Sequence, residues 1–249
     1  MTGTFRSRLR QGEMLLGTMV TIPSATCSEI LAELGYDWLF IDGEHGPLET
    51  GSILSILQAV GHRIACVVRV PGTDEGIIKK TLDIGVEGLI VPMVNTPEQA
   101  ADVVRFSRYT PVGLRGVGLY AAQGYGLRFQ EYLSGANEQV AVIVQAEHIA
   151  RSRTSRRSSR SLGSTRSCWA IRPLRQHGPH GKDRRPGGGR GNRPCNQGLQ
   201  GGWHAARLFR RERGSRTPVS RRGYNLIAAG VDTLIFVNAA RSLLDDLRR

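Results

Sequence analysis

The stretch IDGEHGP puts Asp42, Glu44 and His45 within four residues, directly behind the apolar run DWLF. A histidine beside a carboxylate has the makings of a general base whose tautomer and orientation the carboxylate fixes. Arg69 follows another apolar run, in VVRVP, and a guanidinium there suits a substrate carboxylate or an enolate oxygen. Gln145 and Glu147 close a third run, VAVIVQAE, and a glutamate in that place is a natural oxygen ligand for Mg2+ or Mn2+. Read singly, each residue has a plainer explanation. His45 is then a packed loop histidine, Arg69 half of a structural ion pair, and Glu147 part of a barrel-mouth salt bridge. Their common position, just after an apolar run, favours a site.

The runs that must position these groups are MLLGTMV (14–20), DWLFIDG (37–43), IACVVRV (64–70), VEGLIVPM (86–93) and VAVIVQAE (140–147). All are nearly continuous in apolar residues, the pattern of strands covered on both faces in a parallel sheet. Helix-length amphipathic stretches alternate with them: SEILAELG, ETGSILSILQAVG, DEGIIKKTLDIG and TPEQAADVVRFSRY, several stopping at glycine. Strand and helix in regular alternation predict βαβ units. After residue 222 the pattern resumes as strand material and a short helix. Five units, a gap with room for two, and a closing unit make eight, and 249 residues is the length of a (β/α)8 TIM barrel. In that fold the C-terminal ends of the strands carry the chemistry.

The gap is the Arg-rich segment. From Arg151 to Arg222 there are 19 Arg and one Lys against Asp183 and Glu212, whereas the other 177 residues hold 14 basic and 19 acidic groups. The overall charge of +13 therefore belongs to one segment, and the rest of the chain is mildly acidic. With 7 Leu, Ile, Val or Phe in 72 residues the segment predicts disorder. The chain divides accordingly into 1–149 (units one to five), 150–221 (Arg-rich) and 222–249 (final unit). With units six and seven disrupted, the edges of strands five and eight would lie unpaired. The four cysteines form no CxxC and no zinc spacing, so neither a disulfide framework nor a metal ribbon is suggested and ordinary reduced thiols are expected. No apolar run approaches a membrane span, and MLLGTMV is too short for a signal peptide, so a cytoplasmic location is expected.

Five stretches, YDWLFIDGEHGP, VVRVP, GVEGLIVPMVNTPEQA, RYTPVGLRGVG and VIVQAEH, closely resemble the HpcH/HpaI aldolase family of metal-dependent (class II) pyruvate aldolases. The resemblance covers residues 5–149 and 222–249. It implies a (β/α)8 barrel that assembles into homo-oligomers and cleaves a 4-hydroxy-2-oxo acid to pyruvate and an aldehyde, through a metal-bound pyruvate enolate. A 2-dehydro-3-deoxy sugar acid is the alternative substrate for the same chemistry. By the same resemblance His45, paired with Asp42, would be the base acting through a metal-bound water. Arg69 would hold the enolate oxygen, Gln145 would neighbour the pyruvate, and Glu147 would ligate Mg2+ or Mn2+. The GLRGVG loop (113–118) would lie near the mouth of the site.

The family's second metal carboxylate, an Asp in the motif GPYDLS, is absent from this chain. Nucleotide reading frame explains why. With permitted codons, Thr154–Ala170 read two bases later and Trp169–Asp183 read one base later give a helix, a buried strand and GPYDLS. The missing aspartate is then written across the codons of Arg172 and Pro173. Three single-base deletions produce the required offsets, so residues 151–221 are expected to be a frameshifted translation. The rival is a genuine Arg/Ser-rich insertion binding nucleic acid through its charge. That reading has few aromatics for base stacking: Trp169, Trp203 and Phe209.

Overall fold

The structure, a computed structural model, describes residues 3–145 and 225–249, with the backbone of two strands at 168–171 and 203–204. The first strands come in the predicted order: β1 (Leu15–Val20), β2 (Trp38–Asp42), β3 (Ala65–Arg69), β4 (Gly88–Val91) and β5 (Ala141–Gln145). Between them lie α2 (Ala25–Glu33), α3 (Thr50–Val60), α4 (Glu75–Asp83) and α5 (Pro97–Ser107). A short α1 (Phe5–Arg10) precedes β1, and α6 (Phe129–Gln139) leads into β5. The helix starts follow local chemistry. Ser24, Asp74 and Thr96 each accept a backbone N–H of the first turn, and Thr96 with Gln99 makes a full capping box ahead of Pro97.

Every strand pairing is parallel, in the order β7–β6–β5–β4–β3–β2–β1–β8, where β6 is Cys168–Ile171, β7 is Trp203–His204 and β8 is Leu226–Val231. The neighbours in sequence pair in sequence order, and β8 returns to β1, as the (β/α)8 reading requires. One expectation is corrected: β5 does not present a bare edge, because Val142 to Gln145 pair with Cys168 to Ile171. A two-residue β7 adds to β6, and β7 and β8 are the ends of the strand order. Apart from these two strands, the 150–221 division and the disorder expected of it fall outside the described residues.

Residue parity sorts the core into two layers. Trp38, Phe40, Val67, Ile90, Ala141, Ile143, Leu226 and Ala228 form one cluster, inside the curl of the sheet. Leu39, Ile41, Cys66, Val68, Leu89, Val91, Val142 and Val144 form the other, against helix residues such as Ile56, Ile78 and Val103. Successive side chains of a strand point to opposite faces, so Asp42 shares the inner face with Trp38 and Phe40. Arg69 shares it with Val67, and Gln145 with Ala141 and Ile143. The inner core is tight: a Cβ at Gly17 would come 2.5 Å from the Trp38 carbonyl oxygen, so this strand position needs glycine.

The last helix, α7 (Asp232–Leu247), follows β8 directly and at 16 residues is longer than the short helix expected. Asp232 decides the boundary. Its carboxylate accepts the backbone N–H of Thr21 and Ile22, each at 2.8 Å, and the Thr21 hydroxyl at 2.6 Å. It also accepts the Thr233 N–H at 2.7 Å, a carboxylate placed at a helix N-terminus. Among the described residues no helix is long and apolar enough to cross a membrane.

Candidate active site

Asp42 and Arg69 are the last residues of adjacent strands and partners in register. The guanidinium grips the carboxylate with two bonds: Nε donates to Oδ1 at 2.8 Å and Nη2 to Oδ2 at 2.6 Å. Both side chains are buried, and the guanidinium also lies 5.2 Å from the centre of the Phe40 ring. The turn after β2 folds back on the same carboxylate, whose Oδ1 accepts the N–H groups of Glu44 (3.1 Å) and His45 (3.3 Å). Gly43 makes this possible. Its N–H donates to the Arg69 carbonyl at 2.9 Å, and a Cβ there would stand 2.8 Å from that oxygen. Burial pushes the Asp42 carboxyl pKa up, but the Arg69 bonds and charge and the two N–H groups outweigh it, leaving it below the ordinary value.

The geometry around His45 differs from the sequence expectation. Asp42 meets His45 only at its backbone N–H, because both carboxylate oxygens are turned to Arg69. The imidazole lies instead by Glu44, with Nε2 3.5 Å from Oε2, and is mostly exposed (71%). The same Glu44 oxygen is 3.1 Å from Nη1 of Arg69, and the Glu44 side chain is 17% exposed. Sequence reasoning named Glu44 but gave it no role. The available signal was its place between Asp42 and His45 in one tight turn.

Gln145 ends β5 on the inner face and is buried, its side-chain oxygen without a hydrogen-bond partner among the described residues. A buried amide oxygen with no donor is costly to leave so, and a ligand that brings a donor relieves the cost. The backbone carbonyl of Gln145 accepts the Val94 N–H at 3.1 Å, tying the loop after β4 to the end of β5. Glu147 lies outside the described residues.

The GLRGVG loop is not at this mouth. Arg115 donates to Asp83 at 2.7 Å and to the Tyr132 hydroxyl at 3.3 Å, with its guanidinium carbon 4.5 Å from the Tyr109 ring centre. Asp83 ends α4, the helix that descends to the start of β4, so Arg115 belongs to the opposite end of the sheet. The expectation of a mouth loop is corrected: a cation deep among aromatic rings needs a carboxylate, and the one in reach is at the base.

Among the described residues the donors do not assemble a metal centre: no group of three or more His, Cys, Asp or Glu is disposed to hold an ion. Asp42 is fully engaged with Arg69.

The model of the HpcH/HpaI aldolase/citrate lyase family matches residues 17–150. The chain is 45% identical over 146 residues to a 4-hydroxy-2-oxovalerate aldolase of Rhodococcus jostii, covering 58% of this chain and 56% of that protein. It is 40% identical over 149 residues to a 4-hydroxy-2-oxo-heptane-1,7-dioate aldolase of Escherichia coli, covering 59% and 57%. The chain thus spans little more than half the length of the curated relatives it matches. An HpcH/HpaI aldolase/citrate lyase family protein of Burkholderia cenocepacia superposes with a TM-score of 0.77 at 30% identity, over 98% of each chain. With more than half of the chain matched by one family model, this protein belongs to the HpcH/HpaI aldolase/citrate lyase family.

Proposed function

We propose that the mouth formed by Asp42, Glu44, His45, Arg69 and Gln145 is the pyruvate half of an aldolase site. It would act on a 4-hydroxy-2-oxo acid, releasing pyruvate and an aldehyde. The observation that carries the reading is the Asp42–Arg69 pair, in register and doubly hydrogen-bonded at the strand ends. In cleavage a base takes the proton of the C4 hydroxyl and the C3–C4 bond breaks. Its electron pair goes into the pyruvate enolate, which is then protonated at C3. His45, exposed at the mouth, is the proton carrier, and Arg69 holds the oxygen on which charge develops. Asp42 keeps Arg69 aimed, and Gln145 neighbours the pyruvate, its amide N–H able to donate to a pyruvate oxygen and its side-chain oxygen to accept the substrate's C4 hydroxyl.

The divalent ion, Mg2+ or Mn2+, that the family resemblance implies would rest on Glu147, outside the described residues. Its second carboxylate is not in the sequence, and a lone glutamate with waters holds such an ion weakly. Turnover by this chain is accordingly expected to be low. A homo-oligomer belongs to the same proposal.

The test is prolonged incubation with 4-hydroxy-2-oxovalerate and quantification of both products. Equimolar pyruvate and acetaldehyde, in excess over an Arg69→Ala variant, support the reading. Equal product from both proteins overturns it.

A further inference from the structure

We infer that Glu44 is a substrate-displaced gate on Arg69, a side chain that an incoming 2-oxo acid must push aside and that then passes to His45. The inference rests on the pyruvate-site reading above. Its starting point is the division of Arg69 between two carboxylates. Asp42 takes the Nε/Nη2 edge with two short bonds and is almost wholly buried. A guanidinium offers one more edge for a two-pronged acceptor, the Nη1/Nη2 edge. A carboxylate, or the adjacent oxygens of a 2-oxo acid, needs both nitrogens of that edge. Nη1 is already 3.1 Å from Oε2 of Glu44.

The two carboxylates are held very differently. The Glu44 oxygen is buried, close to Arg69 Nη1 and to His45 Nε2, yet no hydrogen bond satisfies it. Its side chain is also the more exposed of the two acids. Asp42, bonded twice to the guanidinium and twice to backbone N–H groups, cannot leave cheaply. An incoming anion therefore displaces Glu44. Charge argues the same way. Two carboxylates face one guanidinium here, so a further anion is repelled unless one of them moves off. The displaced Glu44 has a receiver 3.5 Å away in the imidazole of His45. Binding at Arg69 would thus leave the Glu44 carboxylate, until then shared with Arg69, to the proton carrier alone, which makes Glu44 a positioning residue.

The experiment is isothermal titration of the full chain with pyruvate, for the wild type and for Glu44→Gln and Glu44→Ala. Removing a carboxylate that competes for Nη1 should tighten pyruvate binding about tenfold in both variants, and damage to the fold would not produce a gain. Unchanged or weaker binding in either folded variant overturns the gate. Absence of pyruvate binding in the wild type and both variants overturns instead the pyruvate-site reading on which the gate depends.

Discussion

Arg69 and Asp42 stand opposite each other on β3 and β2 and share two bonds, at 2.8 and 2.6 Å, at the end of a largely apolar inner face. Breaking such a pair from one side leaves a buried charge uncompensated, which costs about 3–5 kcal/mol. Asp42→Asn is expected to lower unfolding free energy by about 3 kcal/mol, since Glu44 still faces Arg69. Chemical denaturation at neutral pH checks this, and a loss below about 1 kcal/mol would mean that the pair is marginal to the fold.

The same pair sets an acid limb. The folded Asp42 carboxyl titrates below its ordinary value, so its stabilising contribution is complete above the unfolded value, about 3.9, and is lost as pH falls through the folded one. Denaturation curves from pH 5 downwards should show a steeper stability loss for the wild type than for Asp42→Asn.

Glu87 gives the opposite slope. It sits just before β4, where its carboxylate accepts the Cys66 N–H at 2.8 Å, and burial pushes its carboxyl up to about 7. The unfolded group ionises near 4.3. Glu87 therefore favours the folded state fully below that value, and the advantage fades as pH rises towards 7. At about 1.4 kcal/mol per unit of difference the loss is at most about 3 kcal/mol between pH 4 and 7. Glu87→Gln should flatten this limb of the stability curve, and an unchanged slope would assign it to other groups.

At the base, Asp83→Asn removes the carboxylate that compensates Arg115, whose side chain is 1% exposed. The expected cost is about 2–3 kcal/mol of stability, with pyruvate affinity unchanged because the pair lies at the far end of the strands from Arg69. Thermal melts and titration with pyruvate together check both halves of this expectation.

The Arg-rich segment yields a prediction at the level of the gene. Replacing residues 151–221 by the in-frame reading restores GPYDLS and its aspartate. Pyruvate release from 4-hydroxy-2-oxovalerate should then rise by about 100- to 1000-fold, equivalent to about 3–4 kcal/mol of barrier. Resequencing codons 145 to 225 in the source DNA tests the cause, since three additional bases would restore the frame.

How far the sequence reveals this site depends on what each residue's position obeys. The strands were legible because runs such as ACVVR and AVIVQ are apolar on both faces, and parity then puts Asp42, Arg69 and Gln145 on the inner one. The partner of His45 was not legible. Turn side chains follow no period, and the sequence offered Asp42 both His45 and Arg69 as partners. Strand register gave it to Arg69, leaving the imidazole to Glu44. Arg115 was misplaced for a similar reason: GLRGVG shows a glycine-rich turn, but which end of the barrel it covers depends on Asp83, 32 residues earlier. The start of α7 inside an apolar stretch depended on Thr21, at the other end of the chain.

The affinity of this chain for pyruvate with and without the Arg69 guanidinium, by isothermal titration at neutral pH, decides most directly whether this mouth is a pyruvate site. Measurable binding to the wild type and at least a tenfold loss in Arg69→Ala are expected. Equal affinity in the two proteins would contradict this reading and remove the mouth of β2 and β3 as the pyruvate site.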